Sequence, residues 1–222
     1  MKILLFIVAF GNLGACGKES TEGQKIENMV QKDLIDLVKK NDVVAVKASL
    51  AHGANVNTKD KRGRSLLLMA TIDKQDEMVK LLVSYKADVN AQDNQLDSPF
   101  LYAGASGQTE LVKLFLENGA RFDIFNRYHG TALIPACERG FVETVKVLVK
   151  TKDFPVNHVN RLGWTALMEA VILGNGTQKY QEIVQLLKDN GADVSIPDHH
   201  GKTPLQHAES LGFKEIATIL KS

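Results

Sequence analysis

Hydrophobic and polar positions follow a helical spacing along most of the chain. Apolar residues recur at intervals of three and four in stretches such as "EMVKLLVSY", "ELVKLFLEN" and "ETVKVLVKT". This spacing places them on one face of an α-helix. The pattern predicts an all-α chain in which short helices are joined by tight turns.

The helical pattern is repeated at a nearly fixed period. Asp or Asn recurs at gaps of 33, 33, 34 and 38 residues, at Asp60, Asp93, Asn126, Asn160 and Asp198. Five residues after each stands a hydroxyl residue: Ser65, Ser98, Thr131, Thr165 and Thr203. Seven residues after stands a large apolar residue: Leu67, Phe100, Leu133, Leu167 and Leu205. Ten residues after stands an alanine: Ala70, Ala103, Ala136, Ala170 and Ala208. Columns that agree across five units indicate a tandem repeat.

Each unit predicts two helices and a projecting loop. The Ser or Thr column is expected to cap the first helix, because its hydroxyl accepts hydrogen bonds from the free N–H groups of the first turn. The alanine column lets the two helices approach closely. Glycine after the second helix, as at Gly53, Gly119 and Gly191, favours positive φ. The segment beyond it is predicted to be an extended, hairpin-like loop.

The repeat resembles that of the ankyrin family, most closely in "GKTPLQHAESLG" and "EIVQLLKDNGADV". The resemblance covers residues 33–222. It implies an all-α ankyrin-repeat solenoid of about six helix-turn-helix units with projecting hairpin-like loops. Since each unit buries its apolar faces only against its neighbours, the expected core is one continuous slab.

The N-terminus has a different character. Lys2 precedes an apolar run, 3–10, that is too short to span a bilayer and fits the hydrophobic region of a secretory signal. The "LGAC" that follows resembles the bacterial lipobox. Residues 1–15 are therefore predicted to be a lipoprotein-type signal peptide and Cys16 to be the lipid anchor. An ordinary signal peptide with a chance cysteine is the alternative.

The polar segment 16–32 begins with the lipidated Cys16 and is predicted to be a flexible tether to the repeat domain, residues 33–222. A lipid anchor would hold the protein at a membrane, on the periplasmic side of a bacterial envelope. Retention of the whole chain in the cytoplasm is the main alternative.

Composition and motifs narrow the classes of function. The formal net charge is +1, so no basic excess favours nucleic acid. No phosphate loop or hydrolase motif occurs, and we expect neither catalysis nor a cofactor nor a small-molecule substrate. No cysteine pairs with His199, His200 or His207 as zinc ligands require, so no metal site is expected. Cys137 is expected to be a small buried apolar residue.

The single tryptophan, Trp164, lies in a predicted loop, one residue before the cap Thr165. In the ankyrin family the position before the cap lies on the loop and varies, so the resemblance implies that Trp164 points outward. The alternative is that its indole folds back onto neighbouring helices. Trp, Tyr and Arg dominate binding hot spots. The predicted partner-binding residues are Phe125, Arg127, Tyr128, Glu138, Arg139, Arg161, Leu162 and Trp164.

The fifth unit carries five extra residues between its helices, within "LGNGTQKYQEIV". Insertions in repeat proteins map to loops on one face. Lys179 and Tyr180 are therefore expected to be exposed, as a second candidate surface.

These observations lead to a functional expectation for a monomer that binds another protein without catalysing a reaction. Ankyrin-repeat lipoproteins of this design resemble immunity proteins that neutralise membrane-active toxins, such as phospholipase effectors delivered into the periplasm. The resemblance implies that role here. An envelope scaffold or a helper of a periplasmic enzyme is the alternative.

Overall fold

The computed structural model describes residues 33–222. The predicted signal peptide, Cys16 and the tether lie outside the described residues. Within 33–222 the chain forms twelve helices, and the only β pairing is an isolated bridge between Lys59 and Ser65. In chain order they are α1 (33–39), α2 (Val43–Ala51), α3 (Leu66–Ile72), α4 (Asp76–Ser84), α5 (Pro99–Ala105), α6 (Thr109–Glu117), α7 (Leu133–Arg139), α8 (Val142–Lys150), α9 (Ala166–Ile172), α10 (Gln178–Asp189), α11 (Pro204–Ser210) and α12 (Lys214–Lys221).

Successive helices pair into units 1 to 6, and the units stack side by side. The first helices of units 2 to 6 pack on one another in order, from α3 to α11, and the second helices form a parallel row from α6 to α12. A five-residue loop tip precedes each of units 2 to 6. We number the tips after the units they enter: tip 2 (60–64), tip 3 (93–97), tip 4 (126–130), tip 5 (160–164) and tip 6 (198–202). The predicted all-α solenoid is confirmed.

The repeat columns form the core. All five alanines of the alanine column are fully buried, and the large apolar column is buried from Leu67 to Leu167. The buried residues form one connected cluster from Leu34 to Leu220. Gly53, Gly119 and Gly191 adopt φ of 90°, 85° and 89°, as expected for residues that end a helix. The continuous apolar slab holds the tips at regular spacing.

The helix caps match the prediction in four units and fail in one. Ser65, Ser98, Thr165 and Thr203 each accept a hydrogen bond from the N–H group three residues on. Thr131 caps nothing, and its buried hydroxyl has no partner. In the other units the residue at the position of Pro135 donates its N–H to the cap carbonyl. Proline has no such N–H group, so α7 begins later and the hydroxyl is left unused.

The insertion in the fifth unit lengthens α10 and closes a gap in the core. The expectation that Tyr180 is exposed is wrong, because only 7% of it is accessible. Its hydroxyl donates to the Glu138 carbonyl at 2.9 Å. Gly174 leaves room for the ring, since a Cβ there would lie 2.7 Å from Tyr180 Cδ1. Lys179 is exposed, with its ammonium 4.9 Å from the Tyr180 ring centroid.

Candidate protein-binding tips

Every tip is closed by the Asp or Asn that begins it. In each case the side-chain Oδ1 accepts hydrogen bonds from the N–H groups two and four residues on. In tip 5, Asn160 Oδ1 accepts from Leu162 at 2.9 Å and from Trp164 at 3.0 Å. Asp60, Asp93, Asn126 and Asp198 do the same in their own tips. This side-chain turn explains why the column tolerates only Asp and Asn.

Backbone hydrogen bonds join neighbouring tips in pairs. Asn94 N donates to the Arg62 carbonyl at 3.0 Å, and Arg161 N donates to the Tyr128 carbonyl at 2.9 Å. The Arg161 guanidinium also donates to the Arg127 carbonyl at 3.0 Å. Tips 2 and 3 therefore form one fixed pair, which we call the basic pair for its Lys61, Arg62 and Arg64. Tips 4 and 5 form the second, called the aromatic pair.

The aromatic pair exposes large side chains on this frame. Tyr128 is 53% exposed and Leu162 50% exposed. The Arg127 guanidinium lies 5.1 Å from the Tyr128 ring centroid and 3.6 Å from Asp97 Oδ2. The contact of the guanidinium with the ring and its ion pair with Asp97 limit the rotamers of Arg127 and Tyr128. These are the residue types that anchor protein interfaces.

The other predicted site residues are less uniform. Trp164 is half-buried, which is intermediate between the outward position implied by the resemblance and the alternative of an indole folded onto neighbouring helices. Phe125 is also half-buried and stacks on His129 and His158, each ring centroid 4.3 Å away. The exposed fraction of a tip side chain therefore depends on its neighbours as well as on its column.

The two remaining predicted residues lie at the end of α7. Glu138 is half-buried and accepts from Tyr180 through its carbonyl. Arg139 is exposed and donates to the Ala105 carbonyl. Both join α7 to adjacent units, and only Arg139 offers a freely accessible charge.

Three exposed leucines were not among the predicted partner-binding residues. Leu96 projects from tip 3 with φ of 60°, a left-handed conformation that is uncommon for leucine. Leu173 and Leu211 are each 47% exposed at the same position of units 5 and 6, just after their first helices. Comparing the residue at this position across the units of the sequence would have identified Leu173 and Leu211.

A buried carboxylate lies directly beneath the aromatic pair. Glu169 is only 4% exposed, and Asn160 Nδ2 donates to its Oε1 at 3.0 Å. Burial, reinforced by the Glu138 carboxylate and opposed by the Asn160 hydrogen bond, raises the pKa of Glu169 to about 7. The corresponding position of unit 6 holds His207, which pairs with Asp198 Oδ2 at 2.8 Å.

Cys137 is a free thiol that is fully buried in the core. Burial, with the Glu169 charge adding to it, raises the pKa of the Cys137 thiol, which favours the unreactive thiol form. Among residues 33–222, no three His, Cys, Asp or Glu side chains are placed to hold a metal ion. Across that range, no helix is both long and apolar enough to cross a bilayer.

Comparison with known proteins agrees with this architecture. The family model for ankyrin repeats (3 copies) matches residues 34–126 and 100–198. An ankyrin repeat protein of Escherichia coli (strain K12), YahD, is 37% identical over 188 residues, covering 85% of this chain and 94% of that protein. The human protein phosphatase 1 regulatory subunit 27 is 37% identical over 84 residues, which span 38% of this chain and 51% of its own length.

A solved structure extends the likeness to the fold. The crystal structure of an ankyrin repeat domain from Acinetobacter baumannii AYE is 45% identical, with a TM-score of 0.83, and covers 85% of this chain and 96% of that one. Its helices and tips therefore overlay on most of residues 33–222. The family match, the relatives and the observed stack of helix pairs agree, and the chain belongs to the ankyrin repeat family.

Proposed function

We propose that this protein binds a partner protein through the aromatic pair of tips. Ankyrin repeats have a protein-binding, non-catalytic role in general, and the proposal assigns that role to a place on this chain. The observation that carries it is the exposure of Tyr128 and Leu162, both about half accessible, on a backbone fixed by inter-tip hydrogen bonds. A preorganised anchor loses little conformational entropy on binding.

The shape of the surface supports a protein ligand over a small molecule. Four surface cavities of about 360 to 520 Å³ among the described residues are open grooves, which lie between units, between tips or between the two helices of unit 6. Small-molecule sites bury most of their ligand in an enclosing cleft. A row of projecting tips and shallow grooves instead suits contact with the surface of another protein.

The test is affinity capture from envelope fractions with the full chain as bait. Replacing Tyr128 and Leu162 together by alanine is expected to weaken binding to the captured partner about 30-fold or more, because truncating a hot-spot residue costs about 2 kcal/mol. Val44→Ala is the matched control, since Val44 is 81% exposed on α2, far from the tips. Equal capture by the double variant and the control would show that the aromatic pair is not the site.

The cellular setting is a separate part of the proposal. Lipidation at Cys16 would hold the tips on the periplasmic face of an envelope membrane, where a delivered toxin acts. Incorporation of labelled fatty acid that is lost in Cys16→Ser tests the anchor. A soluble, unlabelled chain contradicts it.

The proposed partner is a toxin that this protein neutralises, such as a phospholipase effector. Deleting the protein is expected to sensitise cells to one cognate toxin, and the full chain is expected to bind that toxin. A deletion strain that shows only an envelope-stress phenotype would instead support the scaffold function.

A further inference from the structure

The groove between the two tips of the basic pair carries positive charge that contacts within the fold do not fully explain. It is a cavity of about 490 Å³. One wall carries Lys61, Arg62 and Arg64, the other carries Asp93, Asn94 and Gln95, and Ile72 contributes an apolar surface.

Within residues 33–222, only one of the three cations has a partner. Arg64 is held by Asp60, with Nη2 to Oδ2 at 2.7 Å and Nε to Oδ2 at 2.9 Å. Among the described residues, the side chains of Lys61 and Arg62 make neither an ion pair nor a hydrogen bond. Asp93 Oδ1 is occupied by the two N–H groups of its own turn.

Backbone hydrogen bonds fix the main chain from which the Arg62 side chain projects. Arg62 N donates to Asp60 Oδ1 at 2.9 Å, and the Arg62 carbonyl accepts from Asn94. Lys80 on α4 and Lys113 on α6 are different, since Lys80 pairs with Glu77 at 2.8 Å and Lys113 with Glu110 at 2.7 Å. These two charges are neutralised locally, whereas those of Lys61 and Arg62 remain available to a ligand.

We infer that this groove receives a carboxylate from an acidic segment of the partner protein. The guanidinium of Arg62 offers paired N–H donors that match a carboxylate, and Lys61 adds a second charge. The inference rests on the proposed function and extends it, because it gives the partner an interface that is acidic at one end and apolar at the other.

The two ends fit within one interface of ordinary size. The groove and the aromatic pair lie two units apart, roughly 20 Å, since packed helices are separated by about 8 to 10 Å. A standard interface covers about 800 Å² of each partner, a patch roughly 30 Å across. A single partner can therefore contact both.

Charge continuity favours a protein over a nucleic acid. A polyanion backbone needs an extended basic track. Beyond the groove, Arg127 of tip 4 is paired with Asp97 and the Arg161 guanidinium of tip 5 donates to the Arg127 carbonyl, so the tip row does not continue as a track of free cations. An isolated pair of free cations matches one or two carboxylates.

The first experiment titrates the full, isotope-labelled chain with three probes and follows backbone amide shifts by NMR. The probes are an end-blocked tetraglutamate peptide, an end-blocked tetralysine peptide and a short oligothymidylate. Tetraglutamate alone is expected to shift the amides of Lys61, Arg62, Asn94 and Gln95, with weaker binding as salt rises from about 50 to about 300 mM.

Charge reversal supplies the control. Lys61→Glu with Arg62→Glu is expected to weaken tetraglutamate binding at least about tenfold, whereas Lys80→Glu with Lys113→Glu leaves it unchanged. Absence of shifts at the groove, equal binding by the groove reversal, or tighter binding of oligothymidylate overturns the inference.

The captured partner separates this inference from the proposed function. If the Tyr128 and Leu162 double variant loses binding while the groove reversal keeps the wild-type Kd and association rate, the inference fails and the proposed function stands. If the groove reversal slows association and flattens its salt dependence, the inference is supported. Loss of binding in the groove reversal alone supports the groove and removes the aromatic pair as the anchor.

Discussion

The basic pair and the aromatic pair share one backbone design and differ in almost every exposed side chain. Both are closed by Asp or Asn turns, and both are joined by a hydrogen bond between equivalent atoms, from Asn94 to Arg62 and from Arg161 to Tyr128. The first presents Lys61 and Arg62, whereas the second presents Tyr128 and Leu162. Since the turn uses only one side chain of each tip, the others are free to set the chemistry of binding.

The pairs also differ beneath the surface. Under tip 2 the position nine residues after Asp60 holds the apolar Met69, which is buried. Under tip 5 the same position holds Glu169, paired with Asn160. The aromatic pair therefore rests on a titratable group that the basic pair lacks.

The largest expected difference is the pH dependence that Glu169 gives to stability. Its pKa is raised from 4.5 to about 7, so across that window the folded protein keeps a proton that the unfolded chain has released. The free energy of unfolding then falls as pH rises through the window and becomes level above it. At about 1.4 kcal/mol per pKa unit, the fall reaches at most about 3 kcal/mol.

Urea unfolding of wild type and Glu169→Gln at several pH values from 5 to 8 measures this. Glutamine still accepts from Asn160, so the variant is expected to keep its stability as pH rises. Glu182→Gln, at an exposed residue of α10, is the control. Parallel pH curves for wild type and Glu169→Gln would exclude the buried carboxylate as the cause.

A second comparison lies within the aromatic pair, between the caps of its two units. Thr165→Val removes a working cap and is expected to cost about 1 kcal/mol. Thr131→Val removes a buried hydroxyl without a partner and is expected to stabilise the fold by about 1 kcal/mol. Thermal and urea unfolding measure the stability of the two variants relative to wild type. A loss of stability in both would mean that the Thr131 hydroxyl has a hydrogen-bond partner in solution.

The smallest expected effects concern the fourth residue of tips 2 and 3. Leu96 has φ of 60° and Gly63 φ of 76° at equivalent positions. Leu96→Gly is expected to stabilise the fold by about 0.5 kcal/mol, because relief of left-handed strain of about 1 kcal/mol exceeds the entropy cost of glycine. Gly63→Ala is expected to destabilise, since its Cβ would lie 2.5 Å from Asn94 Oδ1.

Both variants are compared with wild type by urea unfolding. Opposite signs support one backbone design in every tip. A destabilised Leu96→Gly would show that the leucine side chain contributes packing that outweighs the strain.

The amino-acid sequence by itself determined the repeat and what recurs in every unit. Helices, the buried alanine column, four of five caps and the positions of the tips all follow from columns such as Asp60 to Asp198, because a contact made in each unit leaves the same residue type at a fixed spacing. The missing cap at Thr131 could also have been predicted from the sequence, since Pro135 lacks the N–H group that donates to the cap carbonyl in the other units.

Tertiary structure alone decided the contacts that occur once. The burial of Tyr180 against Glu138 and the stack of Phe125 with His158 join positions that are not equivalent between units. No column records such a contact, because its residues come from different places in the repeat and meet only after the units have stacked. The chemistry of the tips depends on these single contacts.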